Sequence, residues 1–500
     1  MSPRLPPSTA SDALAIRRVE PAYPPPEAAP YDPDTAFPEL PAAREWTEED
    51  GHSGSLPKNH VFSAVRDLLC DLQLDVVHYG TPAWNPLGDL VPPGATILVK
   101  PNWVLHHNEN PAGGMDCMIT HPAVLRAVLE YAFLARPALV ILGDAPLQGC
   151  DFGVLQRHAG LDRVVASFRA RGLPLAVADF RRTILDPSET PGPRTVREHL
   201  RAEADYVLVD LGAESLLEPV SDHWRRFRVT MYDPRLMAAH HRPGVHQYLL
   251  AREALSADLV LNCPKLKTHK KAGLTCCLKN LIGINGNKEY LPHHRKGATA
   301  AGRGGDSHPR QSLLVDCLES ALDLINRHRD WAGFYAFGER WIYRAENHLV
   351  RRHDPDAQME GNWAGNDTIW RTCLDLNRAL LYADAEGHFH DAPIRQELSI
   401  VDAVVAGQGD GPLAPTPLPT GALFAARNPA LGDLMAALLL GFEPDRIPMV
   451  AHALDAFPHP LVTLPAAQLL DGARTAFASA EQAGPTPFPP ALPPPNWPLR

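Results

Sequence analysis

The strongest constraint on the fold is the alternation along the chain of short apolar runs and amphipathic helical patterns. The apolar runs have strand length: TILVK (96–100), ALVILG (138–143), YVLVD (206–210), ADLVLNC (257–263) and LSIVDAVVA (398–406). Strands that are apolar at nearly every position are typical of parallel sheets covered on both faces. Between the first two runs, residues 121–136 repeat apolar side chains with helical spacing. The sequence therefore predicts an α/β fold with a mostly parallel sheet and helices on both faces.

Composition divides the chain into five predicted parts. Proline is concentrated at the two ends, which predicts extended arms there, because proline lacks an amide donor and fixes φ. Between residues 329 and 365 the alternation stops in a stretch rich in aromatic and charged residues, interpreted as an insertion or lid. The predicted parts are a proline-rich arm (1–50), an α/β core (51–328), the insertion (329–365), an α/β part that completes the core (366–475) and a proline-rich tail (476–500).

The overall charge and the hydropathy pattern argue against two classes of partner. Lys and Arg number 47 against 58 Asp and Glu, so the formal net charge is −11, whereas bulk binding of nucleic acid needs an excess of cations. The first residues lack the pattern of a secretory signal, and no run reaches the roughly 18 apolar residues of a membrane helix. We expect a cytoplasmic protein that binds no nucleic acid and has no membrane span; a homo-oligomer is compatible with the same pattern.

A basic segment stands out against this acidic background. Residues 264–295 contain six lysines, one arginine and three histidines but a single acidic residue. Like charges held close together require compensation, and a bound anion is the simplest source of it. The alternative is a lysine-rich surface loop whose aliphatic stems pack on the core. The strand that precedes the segment favours an anion site, because ligands of α/β proteins bind beyond the carboxyl ends of strands.

Five residues of the basic segment are candidates for binding or chemistry. Lys265, Lys267 and His269 alternate with other residues and would face one way in an extended chain. Lys279 and Asn280 follow in a segment expected to be helical and are succeeded by glycines and asparagines whose amides can hold an anion.

Two further strand ends carry polar side chains. Lys100 and Asn102 follow the first apolar run at a spacing that points both side chains the same way, which suits a phosphate or carboxylate. Asp144 comes directly after the second run, where it can accept a proton or bind a divalent metal. A surface lysine, a turn-forming asparagine and an ordinary strand-end turn explain the same residues without a ligand.

A charged stripe begins near residue 367. Asp367, Arg371, Asp375 and Arg378 are spaced by four, four and three residues, which places opposite charges on one helical face. Solvated ion pairs would explain this stripe. The alternative is that the face is buried against a pocket, with Asp367 catalytic and Arg371 binding the substrate.

Metal binding is an open alternative. The candidate ligands are five histidines and two aspartates: His240, His241, His246, His293, His294, Asp233 and Asp306. None has the spacing of a helical metalloprotease motif, and structural hydrogen bonds explain such histidines equally well. The eight cysteines contain no C-x-x-C pair, so an iron–sulfur cluster is not expected. The adjacent Cys276 and Cys277 are interpreted as small buried hydrophobes.

Several motifs taken together resemble a known family. They are ILVKPN, THP, GDAP, ADLVLNCPKLKTH and LTCCLKNLIGINGN, followed by GNDTIWRTCLDLNR and GQGDGPL. This set is similar to the bacterial and archaeal family named domain of unknown function 362, and specifically to a long subgroup of it. The family has no settled reaction, so the resemblance implies which residues form the site but not which reaction they carry out. The implied positions are Lys100, Asn102, His121, Asp144, Lys265, Lys267, His269, Lys279 and Asn280.

The leading hypothesis is an intracellular enzyme that binds a phosphorylated or carboxylated small molecule. Lys265, Lys267 and Lys279 would supply charge, with Lys100 beside them, and Asn102 and Asn280 would orient the ligand. Asp144 and His269 are the acid–base or metal candidates, because a basic pocket lowers a carboxyl pKa and His titrates near neutrality.

Two other functions remain open. One is a redox enzyme or isomerase built on a metal or a metallo-organic cofactor, which histidine and lysine could anchor. The other is a non-enzymatic carrier or assembly factor that docks partners through its proline-rich ends and aromatic insertion.

Overall fold

A ten-stranded mixed sheet forms the centre of the protein. The computed structural model describes residues 13–40, 58–185, 196–198, 201–229, 232–328 and 359–500. The strands are β1 Leu14–Arg18, β2 Thr96–Pro101, β3 Leu139–Asp144, β4 Leu175–Asp179, β5 Thr183–Leu185, β6 Val196–Glu198, β7 Tyr206–Asp210, β8 Phe227–Arg228, β9 His241–Arg242, β10 Val245–Ala251, β11 Leu259–Cys263, β12 Lys265–His269, β13 Gly273–Thr275, β14 His294–Arg295, β15 Gln396–Asp410, β16 Ala414–Leu418 and β17 Ala422–Ala426.

Helices pack against this sheet. They are α1 Val61–Asp71, α2 Pro122–Leu134, α3 Phe152–Arg157, α4 Leu161–Ala170, α5 Pro234–His240, α6 Arg252–Ser256, α7 Cys277–Asn280, α8 Leu313–Arg327, α9 Ile369–Tyr382, α10 Pro429–Leu439, α11 Pro448–His452 and α12 Ala466–Gln482. His121 caps α2 by accepting the Ala123 amide on its side chain, and Pro122 occupies the first turn, where proline costs no hydrogen bond. Among the described residues, no helix combines the length and apolarity needed to cross a bilayer.

The strand order confirms the predicted α/β class. Along the main path the order is β1-β17-β15-β11-β2-β3-β4, and β15, β11, β2, β3 and β4 pair in parallel. Strands β17, β16 and β13 join the sheet antiparallel. The apolar run at 206–210 is a strand but lies outside the main sheet, because β7 pairs antiparallel with β10 in a separate three-stranded sheet.

The two faces of the sheet are both buried, as the nearly continuous apolar runs predicted. Ile97 and Val99 pack into one hydrophobic cluster with α1 and α2, whereas Leu98 between them packs into the cluster on the opposite face. Val140 packs into the same cluster as Ile97 and Val99, and Ile141 packs into the cluster that contains Leu98. Burying one such aliphatic side chain contributes about 1.5–3 kcal/mol, so a strand with both faces covered is stabilised at every position.

The strand order reverses between β2 and β11. From β2 the chain passes through α2 to β3 and then through α3 and α4 to β4, moving toward one edge of the sheet. The later strands β11 and β15 lie on the other side of β2. In open α/β sheets a crevice forms beyond the carboxyl ends of the strands at such a reversal. The fold therefore places the ends of β2 and β11 where a ligand site is expected.

The described parts of the proline-rich ends pack on the core, which corrects the expectation of extended arms. Strand β1 pairs antiparallel with β17 at the edge of the sheet. In the tail, Trp497 and Leu499 are buried, and the Trp497 indole donates a hydrogen bond to the Lys270 carbonyl at 2.6 Å. The prolines alone suggested extension, but the apolar residues between them gain more by covering the core.

Most of the predicted insertion, residues 329–358, lies outside the described residues. Its last residues contact the basic segment and a neighbouring loop. The Lys271 ammonium donates to the Glu360 carbonyl at 2.6 Å, and the Trp363 indole donates to the Asp306 carbonyl at 2.9 Å. The lid interpretation of residues 329–365 stays a prediction.

Candidate functional site

Side chains from the ends of β2, β3 and β11 meet at the point where the strand order reverses. They form a buried network of Lys100, Asn102, Asp144, Asn262, Lys267 and Asn280. The Lys100 ammonium lies 2.7 Å from Asp144 Oδ1, and the Lys267 ammonium donates to Asn102 Oδ1 at 2.5 Å. These contacts bring together five residues that the sequence singled out from three distant segments.

Asn280 holds the network together. Its Oδ1 accepts from Asn102 Nδ2 at 3.0 Å and its Nδ2 donates to the Lys100 carbonyl at 3.1 Å and to Asn262 Oδ1 at 2.8 Å. Asn280 is the last residue of α7, so this helix anchors the basic segment to the ends of β2 and β11. An amide suits this position because it donates and accepts at the same time.

Asp144 is fully engaged within the network. Its Oδ2 accepts from the Trp103 amide at 2.6 Å and its Oδ1 from the Ala145 amide at 2.8 Å, besides the contact with Lys100. A Cβ at Gly283 would lie 1.9 Å from Asp144 Oδ1, so only glycine fits there. Burial raises the pKa of Asp144 and lowers that of Lys100, and the attraction between the two charges opposes both shifts.

Lys265 belongs to a second buried ion pair. Its ammonium lies 3.1 Å from Asp402 Oδ2 and 2.5 Å from the Tyr23 hydroxyl, and that hydroxyl donates to Asp402 Oδ1 at 2.5 Å. The Tyr23 ring stacks on His121 with 3.9 Å between centroids. Sequence reasoning missed Asp402 and Tyr23, although a lone aspartate inside the apolar run at 398–406 was a signal for a buried partner.

A second group of basic side chains, lysines together with neutral histidines, lies beside the buried network. We call it the cationic cluster, and it consists of His269, Lys271, Lys279, Lys288 and His293. Lys279 lies at its centre, because its charge is the largest electrostatic influence on both His269 and His293. The Lys279 side chain is buried, and within the described ranges no hydrogen bond or ion pair satisfies its ammonium.

The two histidines of the cationic cluster differ in their hydrogen bonds. His269 Nδ1 accepts the Lys271 amide at 3.1 Å, so the neutral ring carries its proton on Nε2. His293 Nδ1 lies 2.7 Å from the Leu291 carbonyl and donates to it, which leaves the Nε2 lone pair free. Burial lowers the pKa of both rings well below the ordinary value, and the Lys279 charge adds to the effect.

Burial also lowers the pKa of the lysines in this region. The pKa of Lys288 falls to about 8, and that of Lys279 is lowered for the same reason. The pKa of Lys267 is well below its ordinary value because of burial and the nearby Lys265 charge. Lys267, Lys279 and Lys288 form no ion pair with a carboxylate in the part of the chain that the structure describes. An anion bound here would supply the missing charge.

Asp367 and Arg371 do not join the cationic cluster through any described contact. They pair with each other at 2.9 Å one turn apart, at the beginning of α9. Asp367 also lies 3.2 Å from Arg295, and its side chain is 41% exposed. Arg371 donates to the Leu216 carbonyl at 2.8 Å. The Asp367–Arg371 pair is therefore a partly solvated ion pair, whereas Asp375 and Arg378 farther along the stripe pair at 3.1 Å and are completely buried.

Four of the five histidines considered as metal ligands form ordinary hydrogen bonds, whereas His294 Nδ1 is buried without a partner. His241 Nε2 lies 3.0 Å from the Tyr290 carbonyl, and His246 Nε2 lies 3.1 Å from both Ser221 Oγ and Glu218 Oε2. His240 stacks on Tyr290. Among the described residues, the one group of three or more ligands with metal-binding proximity contains no histidine.

A cavity lies away from the buried network and the cationic cluster. It has a volume of about 230 Å³ and is bordered by Asp258, Asp384, Glu386 and Arg395. Asp258 and Arg395 directly precede the central strands β11 and β15, so this cavity is at the opposite end of the sheet from Lys100 and Asp144. Its acidic border repels anions, and the ends of the parallel strands remain the better place for an anionic ligand.

Comparison with known proteins confirms the family resemblance. Residues 227–437 match the family model described as a domain of unknown function, DUF362, and we assign this segment to that family. The match includes Lys265, Lys267, His269, Lys279 and Asn280, whereas the strand ends of β2 and β3 come before it.

Two individual proteins are also similar to the chain. A thylakoid-associated protein of Synechocystis sp. is 25% identical over 244 residues, which are 48% of this chain and 55% of that protein. The chain thus spans about half the length of this curated relative. A crystal structure of a Thermotoga maritima protein has 9% identity and a TM-score of 0.30, covering 71% of this chain and 53% of that one. At that TM-score the likeness carries no argument.

Proposed function

We propose that the protein is an enzyme that binds a phosphorylated or carboxylated small molecule at the cationic cluster. The observation that carries the proposal is Lys279, whose side chain is 9% exposed and whose ammonium has no hydrogen-bond or ion-pair partner in the described part of the chain. An unpaired buried charge costs several kcal/mol, roughly what breaking a buried ion pair costs. A ligand that brings negative charge removes this cost on binding.

Neighbouring groups favour a phosphate or carboxylate over a simple counterion. Lys279 and Lys288 provide two ammonium groups, and the Nε2 proton of His269 is available for a directed hydrogen bond. Hydrogen bonds between charged partners are roughly twice as strong as neutral ones and fix the orientation of an oxyanion. The buried network behind them positions α7, which carries Lys279.

The acid–base chemistry is assigned to the histidines. His293 has a free Nε2 lone pair that can accept a proton from the substrate, whereas the Nε2–H of the neutral His269 ring donates a hydrogen bond to it. Asp144 is less suited to this role, because two backbone amides and Lys100 already occupy its oxygens. The sequence considered His293 only as a metal ligand, although it lies in the same basic segment.

The proposal is tested by calorimetric titration with inorganic phosphate and with malonate at constant ionic strength. Replacing Lys279→Met should weaken binding of the preferred anion about 10- to 100-fold, the equivalent of about 1.5–3 kcal/mol for one charged hydrogen bond. Lys270→Met is the matched control, because Lys270 belongs to the same segment but pairs with Asp410 at 2.7 Å. If neither anion binds the parent, or if both variants bind like the parent, the proposal is wrong.

A further inference from the structure

A group of buried side chains that could hold a metal ion lies at the beginning of α7. It contains Cys276, Cys277 and Asp433, whose ligand atoms all lie within 4.8 Å of one another. All three residues are completely buried. Cys276 and Cys277 begin α7, and Asp433 belongs to α10. The group therefore joins two elements that are more than 150 residues apart in the chain.

The separation of the two sulfur atoms suits a shared metal. The Sγ atoms of Cys276 and Cys277 are 3.6 Å apart. Two thiolates bound tetrahedrally to Zn²⁺ at about 2.3 Å each lie roughly 3.8 Å apart, whereas the sulfurs of a disulfide are separated by about 2.05 Å. Adjacent side chains ordinarily point away from each other, so this convergence needs a cause. A weak thiol–thiol hydrogen bond is the alternative cause.

The surroundings of the Asp433 carboxyl group favour a bound metal over a thiol–thiol hydrogen bond as the cause. Its Oδ1 accepts the Leu278 amide at 3.3 Å, and the Cys277 amide and the Cys276 thiol are close enough to lower its pKa, but its buried Oδ2 forms no hydrogen bond of good geometry. A buried carboxylate oxygen without a hydrogen bond is costly and calls for an explanation. Glu397 lies close enough to affect the pKa of both Cys277 and Asp433, and its Oε2 is also buried without a partner.

The packing around Cys277 is also tight. A Cβ at Gly432 would lie 2.5 Å from Cys277 Sγ, so glycine at this position lets α10 approach the sulfur. This close approach brings Asp433, the next residue, beside the two cysteines.

We propose that Cys276, Cys277 and Asp433 bind one Zn²⁺ ion. Two sulfurs with carboxylate oxygens are a donor set that Zn²⁺ accepts in tetrahedral sites. Binding converts both thiols to thiolates and releases their protons to solvent. Because every ligand is buried, the ion enters during folding and has a structural role, fixing α7 against α10.

This inference is independent of the proposed function, because the metal lies outside the cationic cluster and contacts no substrate. It also changes the interpretation of the cysteine pair, which the sequence indicated only as small hydrophobes.

The experiment uses the full-length chain, unfolded under reducing conditions and refolded with Co²⁺ in place of Zn²⁺. We expect one cobalt per chain by elemental analysis and a thiolate-to-cobalt charge-transfer band in the near ultraviolet. Cys277→Ser and Asp433→Asn should each lower the affinity for Co²⁺ by at least tenfold. Cys373→Ser is the matched control, since Cys373 is buried nearby but is not one of the three ligands, and it should keep the band.

Three results would overturn the inference. The first is a folded parent chain that binds less than a tenth of an equivalent of cobalt and shows no charge-transfer band. The second is an intact mass lower by two hydrogen atoms, with peptide mapping that assigns the disulfide to Cys276 and Cys277. The third is an unchanged band in Cys277→Ser. If that variant does not fold, the parent spectrum and the Asp433→Asn affinity decide the question.

Discussion

Lys100 and Lys279 are both buried lysines at the carboxyl ends of the strands, but their surroundings are opposite. Lys100 lies 2.7 Å from Asp144 inside a network in which amides and backbone groups satisfy nearly every polar atom. Lys279 has no such partner in the described residues and is surrounded by other basic side chains. The buried network is therefore complete without a ligand, whereas the cationic cluster is not.

This difference separates residues that hold the site together from residues that bind. Both groups come from the same basic segment and from the same family motifs, so residue type does not distinguish them. The distinguishing property is whether the fold supplies a counter-charge. Lys100 pairs with Asp144 and Lys265 pairs with Asp402. We infer that these two ion pairs stabilise the fold.

The largest effect is expected from breaking the Lys100–Asp144 pair. Lys100→Met should lower the free energy of unfolding by about 3–5 kcal/mol, because it leaves a buried carboxylate without its cation. Lys100→Met combined with Asp144→Asn should recover part of this loss, since it removes the unpaired charge but leaves one of the two backbone amides that Asp144 accepts without an acceptor. Urea denaturation of both variants measures the coupling. Equal losses in the single and double variants would show that the pair does not act as a unit.

A buried acid without a close cation should behave differently with pH. Burial raises the pKa of Glu319 to about 7 from 4.5, with Lys296 opposing and Asp316 adding to the shift. The folded state therefore holds a proton that the unfolded state has lost between pH 4.5 and 7, so stability falls as the pH rises through this window. A shift of this size corresponds to about 3 kcal/mol.

Glu319→Gln should remove that pH dependence. Urea denaturation at several pH values between 4 and 8 measures it as the difference between parent and variant. Glu443→Gln, at an exposed position, is the control and should leave the pH profile unchanged. A parent and a Glu319→Gln variant with parallel profiles would contradict the assignment.

Removing Lys279 should change the free energy of unfolding in the opposite direction from removing Lys100. Lys279→Met should raise the free energy of unfolding by about 1–2 kcal/mol in buffer without phosphate, because an apolar side chain replaces an ammonium that has no partner and a largely buried stem. Added phosphate should reduce this difference, since it stabilises only the parent. Thermal unfolding with and without phosphate measures both effects. A loss of stability as large as that of Lys100→Met would mean that Lys279 has a partner in the fold.

The smallest effect is expected at the charged stripe. Asp367→Asn should change stability by less than about 1 kcal/mol, because the pair with Arg371 is partly exposed. Phosphate affinity should stay at the parent value in the same calorimetric titration. Loss of phosphate binding in Asp367→Asn would instead place the stripe in the site, as the sequence allowed.

The sequence predicted the sheet well because its signal is local. Four of the five apolar runs became strands of the main sheet, and 121–136 became α2. Runs that are apolar on both faces leave little choice other than a covered sheet. The run at 206–210 was placed in the wrong sheet because a strand carries no information about its partner.

The candidate site was predicted in part. Lys100, Asn102, Asp144, Lys267 and Asn280 meet as a group, since the carboxyl ends of parallel strands share one edge of a sheet. Their division of roles could not be predicted, because it depends on which lysine receives a carboxylate. Asp402 and Tyr23 come from segments far from the basic one and became partners only through folding.

By itself, the sequence determined the α/β class, the position of the basic segment and the family of residues 227–437. These follow from periodicity, charge and motif, which are properties of neighbouring residues. Only the tertiary structure decided that Lys100 is paired and Lys279 is not, and that two cysteines face Asp433. The physical reason is that electrostatic pairing and metal coordination depend on distances of a few ångströms between residues that the chain itself keeps far apart.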